Sequence, residues 1–568
     1  MKQRNLLLFF LLALLPLSLS ASKDRVLKID FKNPIQEQAG GSSFDIMSLL
    51  QSNGTPVSLL SYVRAIDAAA QDESISMIYM TPENISAGLS QTEEIRAALQ
   101  RFRDSGKKIV AYCSDFSNMS YYLASVADML VLDPSASPFI TGIGTQQFFL
   151  KDILDTLGID VQLIRHGKYK SAGEMFVRNS SSEENRLQNQ EMVSSLWNSI
   201  SAEIAQSRGK FTQEEFISWV DNLELTDAES FKAHGLVDEI WFKDQMDSCI
   251  CAQTGSSMIS LVRYVKINRY AEKMKKGSRK NRIAVVYANG DIVMEGDGMV
   301  GSDMARTLAK VAEMPKVKAV VFRVNSPGGS SQAAEIIRRE VERLRLKKPV
   351  YVSYGDYAAS GGYWISAGKG TIFTDNTTLT GSIGVFSIVP SYGNALRKNL
   401  KVNMEVVGSS AHSDMLTGVR PLSEPEVEYF QQQVEKVYDQ FTDIVAEGRG
   451  LTKERVDELG QGRVWAGAAA LEIGLADRKG GLADAINFAA QELGLSREDY
   501  RIDEYPEVKE PSLFDLLGGD KVDPEETLTT KAATGSTLLE RLVPSTGYLK
   551  SLTSPVIMTR METIPVIR

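Results

Sequence analysis

The sequence predicts an α/β protein made of two tandem copies of one domain, and three observations predict it. Apolar, strand-like runs alternate with stretches of helical periodicity, the pattern of parallel strands joined by helices. The second half repeats the element order of the first, together with several of its short words. At 568 residues, with 43% apolar and 24% charged residues, the chain is too long for one core and ordinary enough in composition for several.

Residues 1–21 read as a signal peptide or an N-terminal membrane anchor. Lys2 and Arg4 precede an apolar run from Leu6 to Leu19, and Ser18-Leu19-Ser20 offers small residues for cleavage. The run is short of the about 20 apolar residues of a span, so removal and retention both stay open. The first repeat domain, 22–270, begins with strand-like Val26 to Phe31, followed by a helix from Pro56 to Ile66 and a buried strand from Ile75 to Met80. Ile95, Ala98, Leu99 and Phe102 then recur at helical spacing, and Lys107-Lys108 lead into a strand from Ile109 to Tyr112. The charge-rich stretch from Ala271 to Arg282 reads as a solvated linker. It opens the second repeat domain, 271–495, whose first strand runs from Ile283 to Tyr287. The repeat ends near Leu495, and residues 496–568 form an extension of unassigned role with a helix expected near Leu538 to Leu542.

The repeat is visible in the words themselves. Val110-Ala111-Tyr112 answers Val352-Ser353-Tyr354, and Tyr121-Tyr122-Leu123 answers Tyr363-Trp364-Ile365, both 242 positions on. Thr141-Gly142-Ile143-Gly144 answers Thr380-Gly381-Ser382-Ile383-Gly384 with one residue inserted, and Gly235-Leu236-Val237-Asp238 answers Gly474-Leu475-Ala476-Asp477.

Charge and cysteine content exclude several classes. A net charge of -9 and a pI near 5.3 argue against nucleic acid as a partner. Cys113, Cys249 and Cys251 make no disulfide framework, and with only His166, His234 and His412 beside them no metal-ligand spacing arises. Neither a metal nor another cofactor is expected.

Three features of the second half bear on chemistry. Val324-Asn325-Ser326-Pro327-Gly328-Gly329 is a strand end running into a turn, followed by a helix with Ala334, Ile337, Val341 and Leu344 on its apolar face. Such a turn exposes backbone amides, and a donor fixed beside a reacting carbonyl is worth about 3 to 4 kcal/mol. Asp356-Tyr357-Ala358-Ala359-Ser360-Gly361-Gly362-Tyr363-Trp364-Ile365-Ser366 puts a serine between a strand and an apolar helix whose first amides favour a developing anion. Leu379-Thr380-Gly381-Ser382-Ile383-Gly384-Val385 places another hydroxyl in a tight glycine-flanked segment. Taken singly, each is a common turn or helix start.

In this order the three segments resemble the signal peptide peptidase A family, also called protease IV, of the ClpP and crotonase-like superfamily of spiral α/β folds. The resemblance covers nearly the whole chain, because the long bacterial form of that family is a tandem duplication behind an N-terminal hydrophobic segment. It implies that Ser360 is a nucleophile activated by a lysine some 50 positions after the serine slot, rather than by a histidine such as His412. In the second half that slot falls on Ser413, which is no base; in the first half it falls on Lys170, while the serine slot falls on Asn118. Asn118 to Lys170 spans 52 positions and Ser360 to Ser413 spans 53. A Ser360–Lys170 dyad assembled from both halves is the economical reading, with Lys168 as the competing lysine.

A lysine has a reference pKa of about 10.4, so acting as a base near neutrality requires lowering it by about 3, or about 4 kcal/mol, which burial supplies. The resemblance assigns the orientation of that lysine to Ser382, and the amides of Gly329 and Gly361 are expected to form the oxyanion hole, Gly329 being preferred to Gly328. It further implies a serine endopeptidase that degrades cleaved signal peptides at the membrane surface, with its body on the exported side and a homo-oligomeric state, a homotetramer. Two other functions compete. One is an acyl-CoA hydratase or isomerase using Glu174 or Glu335; the other is a non-catalytic membrane-associated scaffold.

Overall fold

The computed structural model describes residues 25–38, 56–274, 277–507 and 557–561. The N-terminal segment 1–21 and the expected helix near Leu538 to Leu542 lie outside the described residues.

Two parallel sheets with the same strand order form the two halves. In chain order the first half supplies β1 (Arg25–Ile29), β2 (Ile75–Met80), β3 (Lys108–Cys113), β4 (Met129–Leu132), β5 (Asp160–His166), β6 (Glu239–Ile240) and β7 (Tyr264–Lys266). All but β5 build one sheet in the order β6-β4-β3-β2-β1-β7, every pairing parallel. The second half supplies β8 (Asn281–Asn289), β9 (Val317–Ser326), β10 (Gly328–Ser330), β11 (Val350–Ala359), β12 (Ile372–Thr374), β13 (Leu379–Gly381), β14 (Val385–Ser391), β15 (Val464–Ala466), β16 (Arg478–Lys479), β17 (Tyr500–Tyr505) and β18 (Ile557–Arg560). Its parallel strands run β16-β12-β11-β9-β8-β17, the same path as in the first half, and β13 with the antiparallel β15 beside it branches from β11.

The strand order carries the repeat further than the words do. β17 holds the edge position that β7 holds in the first half, so the duplicated unit continues past Leu495 to Tyr505. Tyr-Arg-Ile-Asp-Glu-Tyr shares little with Tyr-Val-Lys, and both strands are only partly buried, so packing constrains their side chains weakly.

The helices follow from amphipathic periodicity. Ile95, Ala98, Leu99 and Phe102 all point into the core from Leu89–Asp104, and Ala334, Ile337, Val341 and Leu344 do the same from Ser331–Arg345. A helix at Leu59–Gln71 is capped by Ser58, whose hydroxyl accepts from the Ser61 amide. The expected linker from Ala271 to Arg282 begins in the last two residues of a short helix, Ile267–Glu272, and ends in the first two of β8, which starts at Asn281.

A third, mixed sheet joins the halves. β5 leaves the first sheet and pairs antiparallel with β14 along seven residues, from Asp160 opposite Ser391 to His166 opposite Val385. The other junction is a buried charge cluster. Arg323 on β9 forms a two-pronged ion pair with Glu37 at 2.8 and 3.0 Å and a third contact with Glu94 at 2.6 Å. Around it Ser90 Oγ donates to Asp375, the Ser90 amide to Asp356, and the Asn376 and Thr377 amides to Glu93. The start of the Leu89–Asp104 helix is thereby locked against the second sheet.

Candidate active site

Ser360 sits where β11 ends and the one-turn helix Gly361–Trp364 begins, with φ 55° and ψ −114°. A serine adopts this conformation only when its surroundings enforce it, at a cost of about 1–3 kcal/mol. Its amide donates to the Gly381 carbonyl at 2.8 Å, and the Trp364 amide donates back to its own carbonyl at 2.8 Å. Ser382 (φ 51°) and Gln461 (φ 53°) share the left-handed region, so three of the seven such non-glycine residues among the described ones gather here.

Lys170 comes from the first half. β5 ends at His166, and the loop after it turns at Gly167 (φ 106°), which brings Lys170 under β14. The Tyr169 amide donates to the Gln461 carbonyl at 2.8 Å, and Arg165 donates to the Lys170 carbonyl at 2.7 Å. Space for the side chain is made by glycine. A Cβ on Gly462 would lie 2.5 Å from the Lys170 backbone nitrogen, and one on Gly384 would lie 3.1 Å from Cδ of Lys170. Lys170 is 1% exposed and Ser360 0%. Nζ of Lys170 lies 2.8 Å from Ser360 Oγ, 2.9 Å from Ser382 Oγ and 3.2 Å from the Ser382 carbonyl oxygen, with the Phe386 ring 5.8 Å away.

The glycine turn lies on the other side of Ser360. The Gly328 amide donates to Ser326 Oγ at 3.2 Å, and Gly329 lies opposite Thr559 of β18 in the third sheet. A Cβ on Gly328 would fall 2.6 Å from the Gly361 nitrogen, so the two glycine backbones are in contact. A cavity of about 180 Å³ opens beside this strand end, lined by Leu89, Met119, Leu196, Tyr357 and Leu379 among others.

The remaining candidates are elsewhere or otherwise occupied. Lys168 is exposed and stacks on Tyr169. His412 pairs with Glu426 at 2.8 Å, beside Arg420, and Ser413 bonds to Ser410 within its own exposed turn. Asn118 holds the corresponding first-half loop by accepting from the Thr141 and Gly142 amides at 3.0 and 3.1 Å. Glu174 accepts from Ser182 and pairs with Arg165, while Glu335 pairs with Arg338 and accepts from the Trp364 indole at 3.0 Å. The loop Gly460-Gln461-Gly462-Arg463 was not singled out from sequence, although it clasps both the Lys170 loop and, through the Arg463 carbonyl, the Ser382 amide at 2.7 Å. Its Gly-Gln-Gly word is a turn signal, but nothing local says what the turn touches.

The model of peptidase family S49 matches residues 101–251 and 342–496, one segment in each half. Protease 4 of Haemophilus influenzae is 32% identical over 81% of this chain and 77% of that protein. Protease 4 of Salmonella typhi is 35% identical over 81% and 75%, and the chloroplastic serine protease SPPA of Arabidopsis thaliana 30% over 81% and 70%. The chain belongs to peptidase family S49. It is a serine protease of the protease IV/SppA group with the family's domain in tandem, an α/β fold as the sequence predicted. Among solved structures, a ClpP1 variant from Listeria monocytogenes matches at 16% identity with a TM-score of 0.25, over 36% of this chain and 94% of that one.

Proposed function

We propose that this S49 protease is an endopeptidase working through a Ser360–Lys170 dyad. The observation that carries the reading is the buried contact of 2.8 Å between Nζ of Lys170 and Ser360 Oγ. In its neutral form a lysine amine has two N–H bonds and one lone pair. Among the described residues the Ser382 hydroxyl and carbonyl lie where the two N–H bonds of that neutral amine can donate, and the Ser360 hydroxyl where its lone pair can accept. Burial favours that neutral form, because it withdraws water from the charged one.

Lys170 then takes the Ser360 proton as Oγ attacks a peptide carbonyl. The amides of Gly329 and Gly361 receive the oxyanion, and Lys170 returns the proton to the leaving amine. A water activated by the same amine hydrolyses the ester. Ser382 fixes where Nζ points, the role the third residue has in other triads.

Extended peptides are the substrate class, with cleaved signal peptides at a membrane surface as the particular one. The apolar cavity beside β13 suits apolar side chains. A homo-oligomer is supported by Leu400, Val402, Met404, Val406 and Val407, which stand exposed after Asn399, itself bonded to the carbonyl of the exposed Leu157. Ser360 labelling by a serine-reactive acylating probe, abolished in Lys170→Ala, tests the dyad. A Lys170→Ala protein that labels and cleaves at the native rate overturns it.

A further inference from the structure

The loop that carries Lys170 is short, and one side chain of the second half reaches both of its ends. The chain leaves β5 at His166, turns at Gly167 and arrives at Lys170. Tyr438, on the helix Glu424–Arg449, stacks on the His166 ring with centroids 3.7 Å apart and planes 20° from parallel. His166 Nδ1 also pairs with Glu435, one turn earlier on the same helix.

The far end of the loop is reached through the Tyr438 hydroxyl. It donates to Asp457 at 2.6 Å, on the helix Lys453–Leu459, and accepts from the Gln461 amide at 3.3 Å. The Gln461 side chain donates to the same Asp457 oxygen. Held in this way, Gln461 keeps φ at 53°, a left-handed conformation that a glutamine adopts only under constraint. Its carbonyl accepts from the Tyr169 amide at 2.8 Å, and the next residue, Gly462, lies against the Lys170 backbone. A Cβ on Gly167 would fall 2.5 Å from the Gln461 carbonyl carbon, so the two turns are in contact and have no room to slide.

We infer that Tyr438 is a positioning residue for Lys170, its ring and hydroxyl fixing the two ends of the loop that delivers the amine to Ser360. This rests on the Ser360–Lys170 dyad proposed above and adds to it a residue outside the dyad. Nζ must stand within hydrogen-bond reach of Ser360 Oγ and out of water to remain neutral. A loop that shifts by about 1 Å forfeits both, a misplacement that costs on the order of 10²-fold in rate. Burial raises the Tyr438 phenol above its ordinary pKa of 10, and the bond to Asp457 adds to the rise, so the hydroxyl keeps its proton and its place across the working pH range.

Tyr438→Phe keeps the ring against His166 and removes only the hydroxyl. His166, Glu435, Lys436, Asp439, Lys453 and Asp457, the titratable groups that line a surface cavity of about 460 Å³ with Tyr438, are all retained in it. A moved pH profile therefore does not come from deleting one of them.

The test is kcat and KM of the full-length protein on a fluorescence-quenched apolar peptide from pH 5 to pH 9, for wild type, Tyr438→Phe, Asp457→Ala and Lys170→Ala. In Tyr438→Phe and Asp457→Ala the rising limb of kcat is expected to move up by about one pH unit. That lowers kcat about 10-fold at pH 6, leaves KM unchanged and restores the rate to within about twofold of wild type at pH 9. A folded Tyr438→Phe protein whose profile keeps the wild-type midpoint, whether or not its plateau falls, overturns the positioning role. Should Tyr438→Phe fail to fold, Asp457→Ala decides by the same midpoint. Lys170→Ala activity equal to that of the wild type removes the dyad, and the role of Tyr438 with it. An inactive Lys170→Ala beside an unmoved Tyr438→Phe midpoint removes the role of Tyr438 alone.

Discussion

Nζ of Lys170 and Oγ of Ser360 are 2.8 Å apart although 190 positions separate them in the chain. Each half of the duplication contributes one partner, and a strand exchanged between sheets brings them together. Replacing either partner is expected to lower kcat on a peptide substrate on the order of 10⁴-fold with little change in fold. Lys170→Arg belongs in the same experiment, because a guanidinium keeps its proton at all working pH values and is expected to be as inactive as Lys170→Ala. Circular dichroism and steady-state kinetics check both.

Ser382 holds Nζ of Lys170 through its hydroxyl at 2.9 Å and its carbonyl at 3.2 Å. Ser382→Ala removes only the first contact. The expected loss in kcat is about 10- to 100-fold, because Lys170 becomes charged as it takes the Ser360 proton and a hydrogen bond to a charged group is worth roughly 1.5–3 kcal/mol. Loss as complete as that of Lys170→Ala would mean that Ser382 does more than orient.

Gly328 has φ 102°, and a Cβ there would approach the Gly361 nitrogen to 2.6 Å. Gly328→Ala therefore displaces one of the proposed oxyanion donors. Rate measurements are expected to show a fall of at least about 10²-fold, the size seen when a single donor is removed.

Glu94 is buried against Arg323, and burial pushes its carboxyl from the ordinary 4.5 up to about 7, with Arg323 opposing the rise. The unfolded chain releases this proton near pH 4.5 while the folded chain keeps it until about pH 7. The fold therefore loses stability as pH rises through that window, by up to about 3 kcal/mol. Glu94→Gln is expected to flatten the dependence, read as a smaller difference between urea midpoints at pH 5 and pH 8. Arg323→Met leaves Glu37 and Glu94 without their counter-charge and is expected to cost about 3–5 kcal/mol at pH 8.

Val407 is 94% exposed and Leu400 66%, in the stretch proposed above as the contact between copies of the chain. A Val406→Asp, Val407→Asp double variant is expected to sediment as a smaller species than the wild-type protein, with its circular dichroism unchanged.

Much of the site was legible because it is local. Ala-Ala-Ser-Gly-Gly marks a strand-to-helix junction by its own composition, and the alternation of strand and helix is a periodicity that every residue votes on. The empty lysine slot at Ser413 and the filled one at Lys170 became legible once the family resemblance said where along each repeat a lysine is expected. The clamp of Glu37, Glu94 and Arg323 was not legible, since three charged residues in separate elements carry no sign of being buried together. Nor was the continuation of the repeat into β17, where pairing is made by backbone groups that every sequence possesses.

The sequence by itself determined that there are two α/β repeats, which follows from periodicity and from words that recur at a fixed spacing; that one half fills a serine slot and the other a lysine slot is what the family resemblance added to it. Only the tertiary structure decided that β5 crosses to β14, that glycine backbones at 384 and 462 make room for Lys170, and that Thr559 lies beside Gly328 and Gly361. Those relationships depend on close packing and strand register between segments hundreds of residues apart, where the determining contacts are backbone to backbone and leave no pattern in either segment alone.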